Sequence, residues 1–193
     1  MMYRNWLKRA FDLCVSVLLI MLVFPLVAIS AILIMASSPG NPLFMQRRVG
    51  RNGKVFEIYK LRTMTVNKER EFGQTRADDP EVLFIGKFLR RLKIDELPQI
   101  INVFLGHMSL VGPRPCLEVT HDGMPEWARE RFNVRPGLTG LAQINGNIEL
   151  TWEQRWRYDV EYVRSVSLFQ DMRILAKTAL VVLLGEGRFR REI

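Results

Sequence analysis

A chain of 193 residues is long enough for one domain with a substantial core and too short for two full ones. Its formal net charge of +8 calls for an anionic partner, whether nucleic acid, an acidic membrane surface or a phosphorylated substrate, while a hydrophobic content of 48% is unusual for a plain soluble nucleic-acid binder. Two cysteines, Cys14 and Cys116, are too few for a disulfide framework and fit a reducing compartment or small core positions.

No charged residue occurs from Leu13 to Gln46. The apolar part, LCVSVLLIMLVFPLVAISAILIMA, is 24 residues. A straight helix of that length is about 36 Å, enough to cross a bilayer core. It is long for a signal peptide and lacks a small-x-small cleavage site near its end. A spanning helix and a re-entrant hairpin are both open readings. Pro25, in the middle, removes a backbone donor and clashes with the preceding turn, although spanning helices tolerate proline. Arg4, Lys8 and Arg9 precede the segment, and Arg47, Arg48, Arg51 and Lys54 follow it, so both flanks look cytoplasmic. The flanks tip the balance toward a helix–break–helix entering and leaving by one leaflet. Pro25 then marks the membrane break, with Ser16 and Ser30 as partners for the broken backbone.

SSPGNP (37–42) is a turn cluster and divides the chain into an apolar membrane segment, 1–40, and a second domain, 41–193. FMQRRVG and KVFEIYKLRTM flank a GRNG turn and predict a β-hairpin. Residues 65–80 are polar, with Asp78, Asp79 and Pro80 closing a loop. EVLFIGKFLRRL (81–92) has helical spacing with Val82, Ile85, Leu89 and Leu92 on one side, and a second helix is expected from Asp95. SLVGPRP (109–115) cannot be regular helix, because two prolines flank an arginine. MPEWARERF predicts a short helix with Pro125 in its first turn, and RPGLTGLAQINGN (135–147) reads as a structured loop. Thr151–Gln154 and Ser167–Gln170 have capping-box spacing and open helices over 152–165 and 168–184, the last ending at Gly185. Trp152, Trp156, Val160 and Val163 form a stripe that fits core packing or a membrane interface. The expected fold is mainly α with a small β-hairpin and amphipathic interfacial helices.

KIDELPQI (93–100) carries adjacent carboxylates. With Asp95 as N-cap and Pro98 at the third helical position, an acidic helix start explains the pair, each acid contributing about 0.3–1 kcal/mol. Its surroundings suggest chemistry as well. Lys87, Arg90, Arg91 and Lys93 lie just upstream, and Lys60, Arg62, Arg114 and Arg135 sit at strand ends and loops. Taken singly, each arginine is read as a solvated surface charge. Together, arginine forks suit phosphate oxygens, and a carboxylate attacking a phosphate needs cations to offset the repulsion. Mg²⁺ takes one or two carboxylates plus substrate phosphates. His107 and His121 lack metal-ligand spacing, and there is no Walker A loop, GxGxxG or GxSxG.

LKRAFDL before the proline-interrupted apolar run, FMQRRVGRNGKVFEIYKLRTM, IDELPQIINVFLG, MSLVGPRP and RPGLTGLAQING together resemble the bacterial sugar transferases, the small monotopic phosphoglycosyl transferases, in order and over nearly the whole chain. The resemblance implies transfer of a sugar 1-phosphate from a UDP-sugar to polyprenyl phosphate with release of UMP. The setting it implies is the cytoplasmic face of a bacterial inner membrane, as the first membrane step of glycoconjugate or exopolysaccharide assembly, with no nucleic-acid partner. It makes Asp95 the nucleophile of a covalent phosphosugar–aspartyl intermediate, with Glu96 assisting and both close to Mg²⁺. Lys60, Arg62, Arg90 and Arg114 are then phosphate ligands, and Arg135, Gly137 and Gln143 face the nucleotide. It also favours the re-entrant hairpin over the spanning helix. The chain departs from the family pattern at His107, where an aspartate is frequent, at Asn147, where an arginine is usual, and at Leu83 and Phe84. Two other functions compete: a membrane-anchored Mg²⁺-dependent phosphodiesterase or nuclease, which needs further clustered carboxylates, and a non-catalytic scaffold on anionic lipid.

Overall fold

The structure is a computed structural model that describes residues 3–65 and 79–184. Helix α1 (Lys8–Ser37) carries the apolar segment. α1 is helical throughout with Pro25 inside it, so a change of direction at Pro25 is a bend within one helix and not a non-helical break between two. Its packed positions recur at helical spacing. Phe11, Val15 and Leu19 pack on the cluster around Ile58 and Val103, and Val27, Ala31 and Ile34 on the cluster of Leu61, Leu89 and Ile94. The opposite face, with Leu18, Met21, Leu22, Phe24, Ile29 and Ile32, is exposed. The Ser16 hydroxyl donates to the Leu13 carbonyl within its own turn, so it does not serve the backbone near Pro25.

Both ends of α1 are fastened to the domain. At the first, Lys8 Nζ lies 2.5 Å from the buried Asp171 carboxylate, which also accepts from Tyr3 and Tyr162 hydroxyls at 2.6 and 2.7 Å. Asp12 accepts from the Leu110 amide. At the second, Arg62 donates to the carbonyls of Ser38 and Pro39 at 2.6 and 2.7 Å.

Strands β1 (Leu43–Val49) and β2 (Val55–Leu61) form the expected antiparallel hairpin. Its turn works because Asn52 and Gly53 accept positive φ. Helix α2 (Phe84–Arg91) begins three residues later than its spacing predicted, because Val82 instead bridges Met64. Ile85 and Leu89 face inward as expected, whereas Leu92 lies exposed beyond the helix end. Helix α3 (Gln99–Leu105) does not start at Asp95. Lys93 takes a left-handed conformation, Ile94–Glu96 form a 3-10 turn, and Pro98 is the residue that caps α3.

Strand β3 (Ser109–Val111) pairs in parallel with β4 (Gly137–Thr139), a second small sheet inside segments read as irregular from the sequence. Helix α4 (Glu118–Asp122) lies between them, followed by a 3-10 helix, Glu126–Asn133, after Pro125. Thr151 and Gln154 form a complete capping box at the start of α5 (Trp152–Arg164), and the Gln170 amide donates to Ser167 Oγ at the start of α6 (Leu168–Leu184). Val160 and Val163 of the predicted stripe are buried, Trp156 packs on the cluster of Cys116, Met124 and Phe132, and Trp152 stays half-exposed. The main core joins Ile58, Val103, Met108, Leu110, Val111, Tyr162, Val163 and Ile174. Most of the loop at 65–80 and the expected stop at Gly185 lie outside the described residues.

Candidate active site

The Asp95–Glu96 pair sits on the 3-10 turn between the end of α2 and the start of α3. The two carboxylates have different surroundings. Glu96 Oε1 is 2.9 Å from Lys60 Nζ, at the end of β2, and 2.6 Å from an Arg114 guanidinium nitrogen; the second guanidinium nitrogen reaches Oε2 at 3.4 Å. Burial alone would raise Glu96, but the Arg114 and Lys60 charges and hydrogen bonds outweigh it and hold the group well below the usual carboxylate range. Asp95 is 9% exposed and makes no hydrogen bond or ion pair among the described residues. Burial first, and the Glu96 charge second, push its pKa up, while Lys60, Arg90 and Lys93 pull the other way. One carboxylate is clamped and ionised, and the other is left with unused lone pairs in a cationic setting.

Lys60 and Arg114, expected as phosphate ligands, thus both reach Glu96. Arg90 contributes its charge to the Asp95 environment while donating through Nε to Thr63 Oγ1 at 2.8 Å. Four other residues, Arg62 expected at phosphate and Arg135, Gly137 and Gln143 expected at the nucleotide, have partners of their own. Arg62 clasps the end of α1. Arg135 donates through Nε to the Gly106 carbonyl, at the opposite end of α3, where Arg9 also donates to Val103 and Phe104. Both arginines there donate to carbonyls at the C-terminal end of the helix, where its dipole is negative. Gly137 is glycine for packing: a Cβ would lie 2.1 Å from the Gly112 amide nitrogen. Gln143 is tied by its amide to the Leu138 carbonyl at 2.9 Å.

Two arginines in the electrostatic surroundings of Arg114 escaped the sequence reading of the site. Arg48 was read there only as a topological flank. In the hairpin it lies opposite Phe56, two pairs from Gln46–Ile58 and four from Phe44–Lys60, so it shares the face that carries Lys60. Burial, then Arg114, push its pKa down to about 10. Its buried Nε has no partner among the described residues. The register of the hairpin, set by its GRNG turn, was the available signal. Arg155 of α5 is depressed by burial and then by Arg114, and lies over the Trp152 ring at 4.8 Å. Trp156 touches both Trp152 and Trp127, with centroids 6.2 and 6.4 Å apart, so an aromatic wall stands on this side.

The sequence profile described as "Bacterial sugar transferase" matches residues 3–185. The chain belongs to this family. It is 40% identical over 182 residues to "Uncharacterized sugar transferase EpsL" of Bacillus subtilis (strain 168), covering 94% of this chain and 89% of that one. It is 36% identical over 198 residues to "Exopolysaccharide production protein ExoY" of Sinorhizobium fredii (strain NBRC 101917 / NGR234), covering 94% and 88%. It is 40% identical over 194 residues to "UDP-glucose:undecaprenyl-phosphate glucose-1-phosphate transferase" of Caulobacter vibrioides (strain ATCC 19089 / CIP 103742 / CB 15), covering 94% and 72%. This sugar transferase is an enzyme of the sugar-1-phosphate transferase type.

Among its described residues no group of three or more His, Cys, Asp or Glu converges. Asp95 and Glu96 are the pair the transferase can offer a cation, a number that suits Mg²⁺ completed by substrate phosphates and water. The unpaired Asp95 oxygens are the ones free to bind.

Proposed function

We propose that this transferase moves a sugar 1-phosphate from a UDP-sugar to polyprenyl phosphate in two displacement steps through Asp95. In the first, an Asp95 carboxylate oxygen attacks the β-phosphorus of the donor. The bond from that phosphorus to the bridging oxygen breaks, its electron pair leaves with UMP, and an acyl phosphate bearing the sugar remains on Asp95. In the second, a phosphate oxygen of the polyprenyl acceptor attacks the same phosphorus. The acyl–phosphate bond breaks, Asp95 is regenerated as a carboxylate, and a polyprenyl diphospho-sugar departs. Such a scheme gives ping-pong kinetics.

The observation that carries this reading is the asymmetry of the pair. Glu96 is locked to Lys60 and Arg114, while Asp95 is unpaired in a partly desolvated, cation-flanked position. A hydrogen-bonded carboxylate would have to break those bonds to attack, and Asp95 has none to break. Glu96 fixes the Arg114 and Lys60 head groups, which can then meet the phosphoryl oxygens. Mg²⁺ would be held on a free Asp95 oxygen beside Glu96 and would supply charge neutralisation to the diphosphate. The phosphodiesterase alternative needs carboxylates beyond this pair, and the described residues bring none to it.

We also propose that α1 enters and leaves the membrane at its cytoplasmic face. Supporting this are the two anchored ends of α1, Lys8 on Asp171 and Arg62 on Ser38 and Pro39, both on one domain. Further exposed apolar side chains stand on α2 (Phe84, Phe88) and α3 (Ile101, Phe104, Leu105), which both pack against α1, and on α6 (Phe169, Met172).

The deciding experiment incubates the purified protein with a panel of UDP-sugars, Mg²⁺ and polyprenyl phosphate and measures UMP. A sugar-phosphate adduct trapped without acceptor, and absent from Asp95→Asn, is the expected result. An adduct that persists in that variant removes Asp95 as nucleophile. For topology, single cysteines near residues 3 and 50 should be labelled from the same side of the membrane; labelling from opposite sides restores a spanning helix.

A further inference from the structure

Arg114 makes the shortest contact to Glu96, yet it stands in the segment Gly112–Pro115, which belongs to no helix or strand. Two prolines restrict that segment locally, but they do not fix where it lies. Its flanks are tied to β4 and β1, where the Gly112 amide donates to Thr139, the Gly137 amide to Pro113 and the Val49 amide to Cys116, and Arg114 between them is held from behind. Arg131, in the 3-10 helix, donates through Nη2 to the Arg114 carbonyl at 2.5 Å, and the same Nη2 lies 2.8 Å from Asp159 Oδ2 of α5. Both side chains are almost fully buried, 5% and 4% exposed. Three residues further along α5, on the same face, the Tyr162 hydroxyl donates to the Val111 carbonyl at 3.0 Å. The segment is therefore gripped from one helix at both sides of Gly112.

A buried ion pair is poor evidence for stability, because an apolar pair of similar volume commonly does as well. Retaining one therefore asks for another reason. Here Arg131 joins the Arg114 main chain to α5, and one planar guanidinium nitrogen serves both partners. A lysine could not present two fixed N–H directions in this way.

We propose that the Arg131–Asp159 pair is a positioning device: it holds the Arg114 main chain so that the Arg114 guanidinium is aimed at Glu96 and at the substrate phosphate. The proposal rests on the transfer reaction argued above, in which Arg114 serves the phosphoryl group. Arg131 and Asp159 touch no reacting atom. Charge on Asp159 comes at an energetic expense that a purely structural pair would not need. Burial pushes Asp159 up to about 6, with Arg131 and then Arg155 pulling it back, and the Cys116 thiol, itself raised by burial, also faces it.

The test is a double-mutant cycle on the full chain in bilayer nanodiscs. Arg131→Met with Asp159→Leu replaces the pair by apolar groups, Arg114→Ala removes the guanidinium, and a triple variant combines them. Each of the first two should lower kcat/KM about 10- to 100-fold. The triple variant should fall no more than about threefold below Arg114→Ala, because the pair acts through Arg114. If the two losses multiply in the triple variant, the proposal is wrong. Hydrogen exchange gives a readout independent of turnover. Amides of 112–116 should exchange faster in the apolar pair variant while α5 keeps its protection, and unchanged exchange at 112–116 equally overturns the proposal. Should the apolar pair fail to fold, Arg131→Lys keeps the charge beside Asp159 and loses the fixed planar geometry that reaches both partners, and the same two readouts apply. A wild-type protein that releases no UMP refutes the reaction, while the exchange measurement still decides the positioning role.

Discussion

Replacing Asp159 by asparagine should change how the stability of this transferase depends on pH, by an amount the structure sets. Asp159 is buried with Arg131 as its partner, and its pKa is pushed from the ordinary 3.8 up to about 6. At about 1.36 kcal/mol for each tenfold change in proton affinity, that gap corresponds to about 3 kcal/mol. The sign follows from proton counting. Between pH 4 and 6 the folded protein holds this proton and the unfolded chain has lost it, so stability from this group is complete below pH 4 and declines as pH rises through 6. Asparagine has no proton to lose. The difference in unfolding free energy, wild type minus variant, should therefore fall by about 3 kcal/mol between pH 4 and 7, apart from a constant offset for the altered hydrogen bond. Urea unfolding in detergent, followed by tryptophan fluorescence at several pH values, measures it. A difference that stays flat to within about 1 kcal/mol over this range would show that Asp159 carries no raised pKa, and a difference that rises with pH would mean that Arg131 more than offsets its burial.

Lys8→Met leaves the buried Asp171 carboxylate without its cation, and breaking such a pair costs about 3–5 kcal/mol; thermal unfolding should fall by roughly 6–20 °C for a chain of this size. Arg62→Ala should lower stability and membrane-helix protection in hydrogen exchange but leave the KM for the UDP-sugar unchanged, since its donors serve Ser38 and Pro39; a raised KM with normal unfolding would put it back among the phosphate ligands. Arg48→Ala should raise the donor KM about tenfold, because a buried guanidinium with an unpartnered Nε suits an anion; an unchanged KM would leave it as hairpin packing. Gly137→Ala should not yield folded protein, because its Cβ would overlap backbone atoms of Gly112 and Thr139, and a well-folded variant would contradict the β3–β4 packing.

Local chemistry made much of the fold legible. The GRNG turn specifies a hairpin because Asn52 and Gly53 accept left-handed backbone, and Thr151 with Gln154 mark a helix start because they satisfy each other's amides. Where legibility failed, a distant partner decided. Val82 belongs to a helical pattern by spacing, yet it pairs with Met64 across a loop. Ser109–Val111 and Gly137–Thr139 are too short to announce strands, and they become a sheet because glycines let the two backbones meet. Asp95 looked like an N-cap, but a left-handed Lys93 turns the chain one step earlier and puts both carboxylates on a 3-10 turn ahead of α3.

The same division runs through the site. Asp95 and Glu96 are adjacent, so the sequence shows them together, but nothing in the order of two neighbouring acids says which is held and which is free. That difference comes from Lys60, at the end of a strand, and Arg114, on a segment held in turn by Arg131 and Asp159. A motif can therefore name the reacting pair, while the assignment of roles within it depends on cations that reach it from separate elements. Arg62 and Arg135 show the converse. They stand in motifs as suggestive as that of Arg114, and their guanidiniums face carbonyls at helix ends because those carbonyls have no other donors. In a chain with 28 lysines and arginines, basic charge near a motif is common. Arg164 on Glu130 and Arg157 on Glu153 show that a fork on a carboxylate is not enough either, and what sets Arg114 apart is that both its terminal nitrogens meet Glu96, beside an unpaired Asp95.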